Sequence, residues 1–328
     1  MIVRAIDTGY GLTKYTLSAG PTPRCGCFPS LAVERQAAVG AGVLEAPETL
    51  ALEIEGITYE VGPDVPLIGG ARTPRILHDD YVARPEYLAL TRAALAGMQL
   101  EWIELLVVGL PVSLLAHRKA LLVQRLQGRH PLPGGRTVQV DEVLVLAQPL
   151  GGLVHYLFNL PPGADRQDKT RLLLDPGSRT FDWTVARGLK EVKGLSGSYP
   201  GAVSTFLAEV ARRLSARYRI DYADLAALDE GLRTGEFSLY GQPVDLALLA
   251  AEAASVLQPG LTALANAVGD GRQFHEIVLV GGGASLFQPA IARQFPQHRV
   301  ITLPDALFAN VRGFQKAGEV KVARREFA

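Results

Sequence analysis

The sequence predicts an α/β protein of two similar domains, each a mixed β-sheet flanked by helices, facing one another across a deep cleft. Three observations carry that prediction. A β-type run (Ile2, Val3, Ala5, Ile6) leads into Asp7-Thr8-Gly9-Tyr10-Gly11-Leu12-Thr13-Lys14. The same grammar returns half a protein later, where Leu172-Leu173-Leu174 leads into Asp175-Pro176-Gly177-Ser178-Arg179-Thr180-Phe181-Asp182. Each copy opens a fresh alternation of strands and helices, and 328 residues are too many for one ordinary core but suit two.

Both copies read as strand, Asp-x-Gly turn, then a returning strand that begins near a Thr. Glycine in such a turn reaches positive φ and lets backbone N–H groups approach a ligand closely. The Asp at the strand end puts a carboxylate where a hydrated Mg²⁺ on that ligand would sit. One such turn is a common hairpin. Two of them suggest duplicated halves gripping a phosphate chain from both sides.

After the first turn, Tyr15–Ser18 continues the hairpin, and residues from about 30 to 80 carry short strand pieces (Leu52–Ile54, Ile57–Val61) that suit an inserted subdomain. Pro85–Gly97 has helical spacing, with Pro at the first turn. Glu104–Pro111 reads as a buried strand leaving at a Gly-x-Pro turn, and Ser113 is placed to cap the helix through His117–Gln127. Val138–Leu146 reads as a strand ending in Ala147-Gln148-Pro149-Leu150-Gly151-Gly152, with a helix over Leu153–Leu160.

The second Asp-x-Gly turn opens the second half. Residues 200–268 are helix-rich, with 3-and-4 apolar spacing over Ala202–Tyr218 and Leu246–Val268 and a break expected at Pro259-Gly260. Ile277–Val280 is a buried strand entering Gly281-Gly282-Gly283-Ala284 before a helix around Ser285–Gln294. A last strand, Val300–Leu303, precedes a terminal helix from Ala306 and a short basic tail, Lys321–Ala328, read as a solvated end. One domain is therefore expected at 1–147, with its insert at about 30–80 and completed by a C-terminal helix at about 304–328; the other spans 148–303.

Composition narrows the function classes. Lys plus Arg and Asp plus Glu both number 33, so the net charge is zero and bulk electrostatics does not favour direct nucleic-acid binding. No signal-like leader and no unbroken membrane-length apolar run is read, so the expected location is cytoplasmic, without a membrane. Cys25 and Cys27 lack a second pair to complete a four-ligand metal site, and read as reduced thiols. Trp102 and Trp183 are expected in packing, and His78-Asp79-Asp80 as a mixed-charge surface loop.

Three glycine turns then require a common ligand. The first supplies amides of Gly9, Tyr10 and Gly11, with Thr13 and Lys14 heading the next strand; a lysine there can act as a point charge for a phosphate. The second supplies Gly177, Ser178 and Thr180 from the opposite wall. The third, Gly281, Gly282 and Gly283 before Ala284, lets a base or ribose lie against bare backbone near the positive end of a helix. No Gly-x-x-x-x-Gly-Lys-Ser/Thr loop and no Gly-x-Gly-x-x-Gly after a strand is present, which excludes P-loop and dinucleotide folds.

Asp7–Lys14, the Gln148 segment, Asp175–Asp182 and Val280–Ala284 resemble the phosphate 1, connect 1, phosphate 2 and adenosine motifs of the actin, Hsp70 and sugar-kinase superfamily. Within it the whole chain is most similar to plasmid-segregation actins of the ParM type. Val108–Pro111 and Phe308–Phe314 are similar to stretches of those proteins, and the second turn also looks like the D protein of the PRTRC plasmid cassette. The resemblance implies an actin-like fold and ATP (or GTP) with Mg²⁺ in the cleft. Asp7 and Asp175 would hold the metal through waters, and Gln148 would position the attacking water. Glutamine fits that task by orientation, being a poor base.

Ser178 and Arg179 stand where that family usually has small glycines. Arg179 would either reach the γ-phosphate or point to solvent, the latter favoured because a long cation crowds the clamp. Asp182 reads equally as a structural acceptor or a catalytic group. The expected function is a slow ATPase that polymerises with nucleotide and segregates a plasmid or other mobile element, with its own copies and a small DNA-binding adaptor as partners. A non-polymerising nucleotide-binding scaffold and a small-molecule kinase of the same fold remain alternatives; a kinase base could hide at Asp64, Asp79 or Asp80.

Overall fold

The structure, a computed structural model, describes residues 2–35, 46–69, 80–192 and 194–326. The first half is organised by β1 (Val3–Thr8), which pairs antiparallel with β2 (Leu12–Thr16), itself paired with β3 (Cys25–Pro29). β4 (Val33–Glu34), β5 (Leu50–Ile54) and β6 (Ile57–Val61) form a separate small sheet, followed by α1 (Val65–Gly69). Then come α2 (Pro85–Met98), β7 (Trp102–Leu110), α3 (Val112–Leu126), β8 (Gly128–Pro131) and β9 (Thr137–Ala147). The main sheet has the order β3-β2-β1-β7-β9-β8, with β1, β7 and β9 parallel.

α4 (Gln148–Phe158) crosses to the second half. There β10 (Thr170–Pro176) pairs antiparallel with β11 (Thr180–Arg187), which is flanked by β12 (Lys190–Glu191) and β13 (Gly197–Pro200). Next are α5 (Val203–Tyr218), α6 (Leu225–Thr234), the hairpin β14 (Ser238–Leu239) with β15 (Gln242–Pro243), α7 (Ala247–Ala253) and α8 (Gln258–Val268). β16 (Glu276–Leu279), α9 (Ala284–Gln294), β17 (Val300–Thr302) and α10 (Ala309–Glu326) complete the chain. β10, β16 and β17 are parallel, so β1, β2, β7 and β9 of one half correspond to β10, β11, β16 and β17 of the other. The doubled turn in the sequence is a doubled sheet in space.

The central strands carry apolar runs, Leu105–Val108, Leu172–Leu174 and Ile277–Leu279, because both their faces are covered. Side chains alternate between the faces: Val3, Ala5, Leu105 and Val107 pack under α10 with Val311 and Phe314, while Ile6, Leu106 and Val108 face α2 and α3. In the second half Leu173, Val278 and Val280 meet Leu153, Tyr156 and Leu157 of α4, and Leu172, Leu174, Ile277 and Leu279 face the α5, α7, α8 and α9 layer. The two crossing helices are thus exchanged. α4 follows the first sheet but packs under the second, and α10 does the reverse.

Several expectations are corrected. α4 begins at Gln148 rather than at Leu153, with Pro149 in its first turn, where a missing N–H is harmless. Ser113 does not cap α3: the N-cap is Pro111, and the Val112 N–H is taken by Asp182 from the other half. Trp102 is 45% exposed and donates to Asp141, whereas Trp183 is buried. The break in the 246–268 stretch is a 3₁₀ segment at Ala254–Leu257, ahead of Pro259. That stretch is long and apolar enough to cross a membrane by composition alone, yet Leu249, Ala253, Leu257, Leu261 and Leu264 belong to the core of the second half. α6 was not read from the sequence. The tail is not simply solvated, since Lys321 and Arg325 both pair with Glu142. His78 and Asp79 lie outside the described residues.

Candidate functional site

The ends of β1 and β10 meet from opposite sides of a cleft of about 510 Å³. Asp7 is one residue from the end of its strand and Asp175 holds the matching place, with side chains 1% and 5% exposed. By strand alternation both point to the face covered by the exchanged helices, and each receives an amide from the head of one. Gln148, the first residue of α4, donates Nε2 to Asp7 Oδ1 at 2.8 Å. Asn310, the second residue of α10, donates Nδ2 to Asp175 Oδ2 at 2.6 Å. The other oxygen of Asp7 accepts from Lys14 Nζ at 2.9 Å, and Asn310 Oδ1 accepts from the Gly152 N–H at 3.1 Å. Asn310 is the pseudo-symmetric mate of Gln148.

Asp175 is pushed up to about 7, first by burial and then by the charges of Asp182 and Asp7. Burial pulls the Lys14 ammonium down, but the pairing with Asp7 outweighs it and the group sits above its ordinary value. Asp182 is also raised by burial, partly offset by Thr180 Oγ1 at 2.6 Å and by the Val112 N–H at 3.1 Å. With the Ser198 side chain as a further donor, these bonds engage both its oxygens and join the second sheet to the head of α3. A buried site rich in carboxylate with one lysine is short of positive charge.

Gly9, Gly11 and Gly177 do not take the positive φ expected of the two Asp-x-Gly turns, whereas the third turn needs its glycines. A Cβ on Gly281 would lie 2.0 Å from Asp175 Oδ1, and one on Gly283 would lie 2.3 Å from Val203 and 2.6 Å from the Pro176 carbonyl. Gly281 also has φ +80°, which favours glycine. Among the described residues no group of three His, Cys, Asp or Glu side chains is placed to hold a metal directly. Two opposed carboxylates instead suit a hydrated Mg²⁺ that arrives on phosphates. The donor set and the bare-backbone cradle fit a Mg²⁺-nucleotide.

Most of the residues singled out from the sequence gather here. The cleft is lined by Asp7, Gly9, Tyr10, Gly11 and Lys14, by Gln148, by Asp175, Gly177, Ser178 and Thr180, and by Gly281, Gly282 and Gly283. Thr13 turns away and shares a hydrogen bond with Ser30 at 2.9 Å, and Ala284 packs in the core of the second half. Arg179 does not point to solvent: its guanidinium lies 5.1 Å from the Tyr10 ring centre, with Nη1 3.1 Å from the Tyr10 hydroxyl. Asn310 was missed, as were Asp229, Glu230 and Arg233 of α6, Thr302 at the end of β17 and Asp305 beyond it, which also line the cleft. The available signal for Asn310 was a lone amide at the head of an apolar helix start, Phe308-Ala309-Asn310-Val311.

Residues 5–151 match the family model described as the actin-like proteins N-terminal domain. An archaeal actin homologue superposes with a TM-score of 0.76 at 20% identity, covering 98% of this chain and 100% of that one. The same archaeal homologue in complex with ADP gives 0.74, again at 20% identity, with 98% and 100% covered. A ParM from a 15-stranded filament of Clostridium botulinum gives 0.75 at 17% identity, with 97% and 99% covered. No curated protein matches by sequence. At these identities the likeness establishes the fold, and the fold is actin-like.

Proposed function

We propose that this actin-like chain, similar in fold to ParM filament proteins, is a nucleotide-dependent polymerising ATPase that segregates a plasmid or other mobile element in the cytoplasm. The observation that carries the reading is the paired construction of the cleft. Two strand-end carboxylates, each bonded to the head of an exchanged helix, face each other between two amide-bearing turns. A bound Mg²⁺-ATP or Mg²⁺-GTP would supply a labile γ-phosphoryl group and a hydrated cation for Asp7 and Asp175. Lys14 and the amides of the turns would hold phosphate oxygens, and Gln148 would orient water by hydrogen bonding rather than by taking its proton.

Catalysis by positioning and preorganised charge suits a slow turnover that times assembly. Self-association is supported by the 15-stranded filament that the Clostridium botulinum ParM forms. A net charge of zero supports a division of labour in which a small DNA-binding adaptor makes the nucleic-acid contact, without direct binding by this chain and without a membrane.

The test is light scattering with simultaneous phosphate release after adding Mg-ATP or Mg-GTP to wild type and to Asp175→Ala. Scattering that rises with nucleotide, followed by phosphate release and lost in the variant, is the expected result. Nucleotide binding without scattering at any protein concentration would withdraw the filament and leave a scaffold. Transfer of phosphate to a small hydroxyl compound would point to a kinase.

A further inference from the structure

The second turn is strapped to its own half and reaches across to the other. The Arg179 carbonyl accepts from the Gly201 N–H at 2.8 Å, the Ser178 carbonyl from Ser204 at 2.8 Å, and the Gly177 carbonyl from Val203 at 3.1 Å, which ties the turn to the start of α5. From that fixed base the Arg179 side chain crosses the cleft to Tyr10. Tyr10 is equally well fixed in the first half. Its ring is buried and stacks on Tyr81 at 5.0 Å, and Tyr81 meets Tyr87 of α2 edge-on at 5.1 Å. The guanidinium therefore ends on an aromatic column whose far end is bolted to a helix of the opposite half.

We infer that Arg179 and Tyr10 form a latch between the two phosphate-binding turns, and that release of nucleotide requires it to open. The inference rests on the proposed nucleotide site. Two features make the pair more than incidental packing. The contact combines cation–π geometry with a hydrogen bond to the phenol oxygen, a combination that arginine's planar fork makes and lysine does not. It also lies between the two turns themselves, whereas the Asp182 contact with Val112 joins one strand to the head of α3. A phosphate chain held by both turns cannot leave while the turns are fastened to each other. Arg179 is thus a positioning residue: it sets how long the cleft stays shut and does not take part in the chemistry.

The experiment is stopped-flow release of mant-ADP and mant-ATP, with Mg²⁺, from wild type, Arg179→Met, Arg179→Lys, Tyr10→Phe, Tyr10→Leu and the Met/Leu double variant. Loss of the latch should raise both off-rates about tenfold, the worth of one partly buried cation–π contact with its hydrogen bond. Arg179→Lys and Tyr10→Phe should fall between, each keeping half of the contact, and the double variant should be no faster than the quicker single one. Additive effects of the two single variants would overturn the latch. So would a loss confined to mant-ATP in the Arg179 variants, because that marks a direct γ-phosphate contact.

A second readout works without nucleotide. Amide hydrogen exchange of peptides covering residues 8–14 and 176–182 should speed up together in nucleotide-free Arg179→Met, and unchanged exchange at both turns would also overturn the latch. This arm separates the two ideas. Wild type that binds neither mant-nucleotide removes the proposed function while the exchange result still decides the latch.

Discussion

At the scale of single residues, Asp175 sets a conflict between stability and use. Its carboxyl is pushed up to about 7 by burial, with Asp182 and Asp7 adding to the shift. A folded-state value above the unfolded one means that the folded chain holds this proton more tightly. The stabilisation is complete below the unfolded value near 4 and is lost as pH rises through 7. Asp175→Asn keeps the shape and an acceptor for Asn310 but cannot ionise. The nucleotide-free variant should therefore melt increasingly above wild type as pH climbs from 5 to 8, by roughly 5 °C at the upper end. Thermal melts across that range check it, and a gap that stays constant or closes with pH would refute the assignment. The same variant should lose any stabilisation by Mg-nucleotide. Asn310→Ala is the complementary change: it strips a donor from Asp175 and an acceptor from the Gly152 N–H, both buried, so it should cost about 2–3 kcal/mol in denaturant unfolding. Gln148 was named from the sequence because its segment, following the Val138–Leu146 strand, resembles the connect 1 motif. Its mate Asn310 lies in the Phe308–Phe314 stretch that also carried the resemblance, but no residue there was given a role, because the pairing with Asp175 exists only once α10 has crossed back.

At the scale of elements, what decides the fold is how closely backbones approach. α4 and α10 cross at glycine: a Cβ on Gly313 would lie 1.7 Å from the Gly151 carbonyl oxygen, and one on Gly151 would lie 2.5 Å from the Asn310 carbonyl. Nothing flexible stands there to move aside. Gly313→Ala gains less than 1 kcal/mol of helix propensity and should lose about 3 kcal/mol to overpacking, so a net loss near 2 kcal/mol is expected in urea unfolding. Gly260→Ala in α8 is the control, since its Cβ would come no nearer than 3.3 Å to Tyr199 and it should change stability by less than about 1 kcal/mol. Equal losses at both sites would remove the crossing argument. The far end of α10 is fastened differently, by Lys321 and Arg325 on Glu142, whose carboxyl is held down to about 2, chiefly by Arg325. That fastening is present above the ordinary carboxylate range and is lost as pH falls toward 2. At pH 7 Glu142→Gln should cost no more than about 1 kcal/mol, because the pair is partly exposed. Helices and strands were largely legible from periodicity, but their starts were not. Ser113 has the right chemistry for a cap, and Asp182 from the other half takes the N–H group instead. A local rule cannot anticipate a partner supplied by tertiary structure.

At the scale of the whole molecule, the doubled turn made the two-fold construction readable, and the sequence assigns a C-terminal helix at about 304–328 to the first domain and the chain from 148 to the second. The packing of the two helices is seen only in the structure, where α4 covers the second sheet and α10 the first. The exchange has a thermodynamic consequence. The outer cores are separate, one under α2 and α3 and the other under α5, α7, α8 and α9, so taken alone they would permit independent unfolding. Each inner core, however, is closed by a helix that enters from the opposite half: Leu153 and Leu157 cover the second sheet, while Val311 and Phe314 cover the first. If the first half unfolds, it drags the start of α4 out from under the second sheet, and α10 loses the surface it lies on. The halves should therefore melt as one cooperative unit even without nucleotide. Calorimetry of the nucleotide-free protein should show a single transition whose calorimetric and van't Hoff enthalpies agree. A ligand bound by both halves should then move that whole transition upward, by about 2.7 kcal/mol at a hundredfold excess over its dissociation constant. Gly313→Ala, which pries the exchanged helices apart, is the variant most able to split the transition in two. Two transitions in wild type, with only one of them shifted by Mg-nucleotide, would mean that the cleft is gripped from one side and that the exchanged helices do not couple the halves.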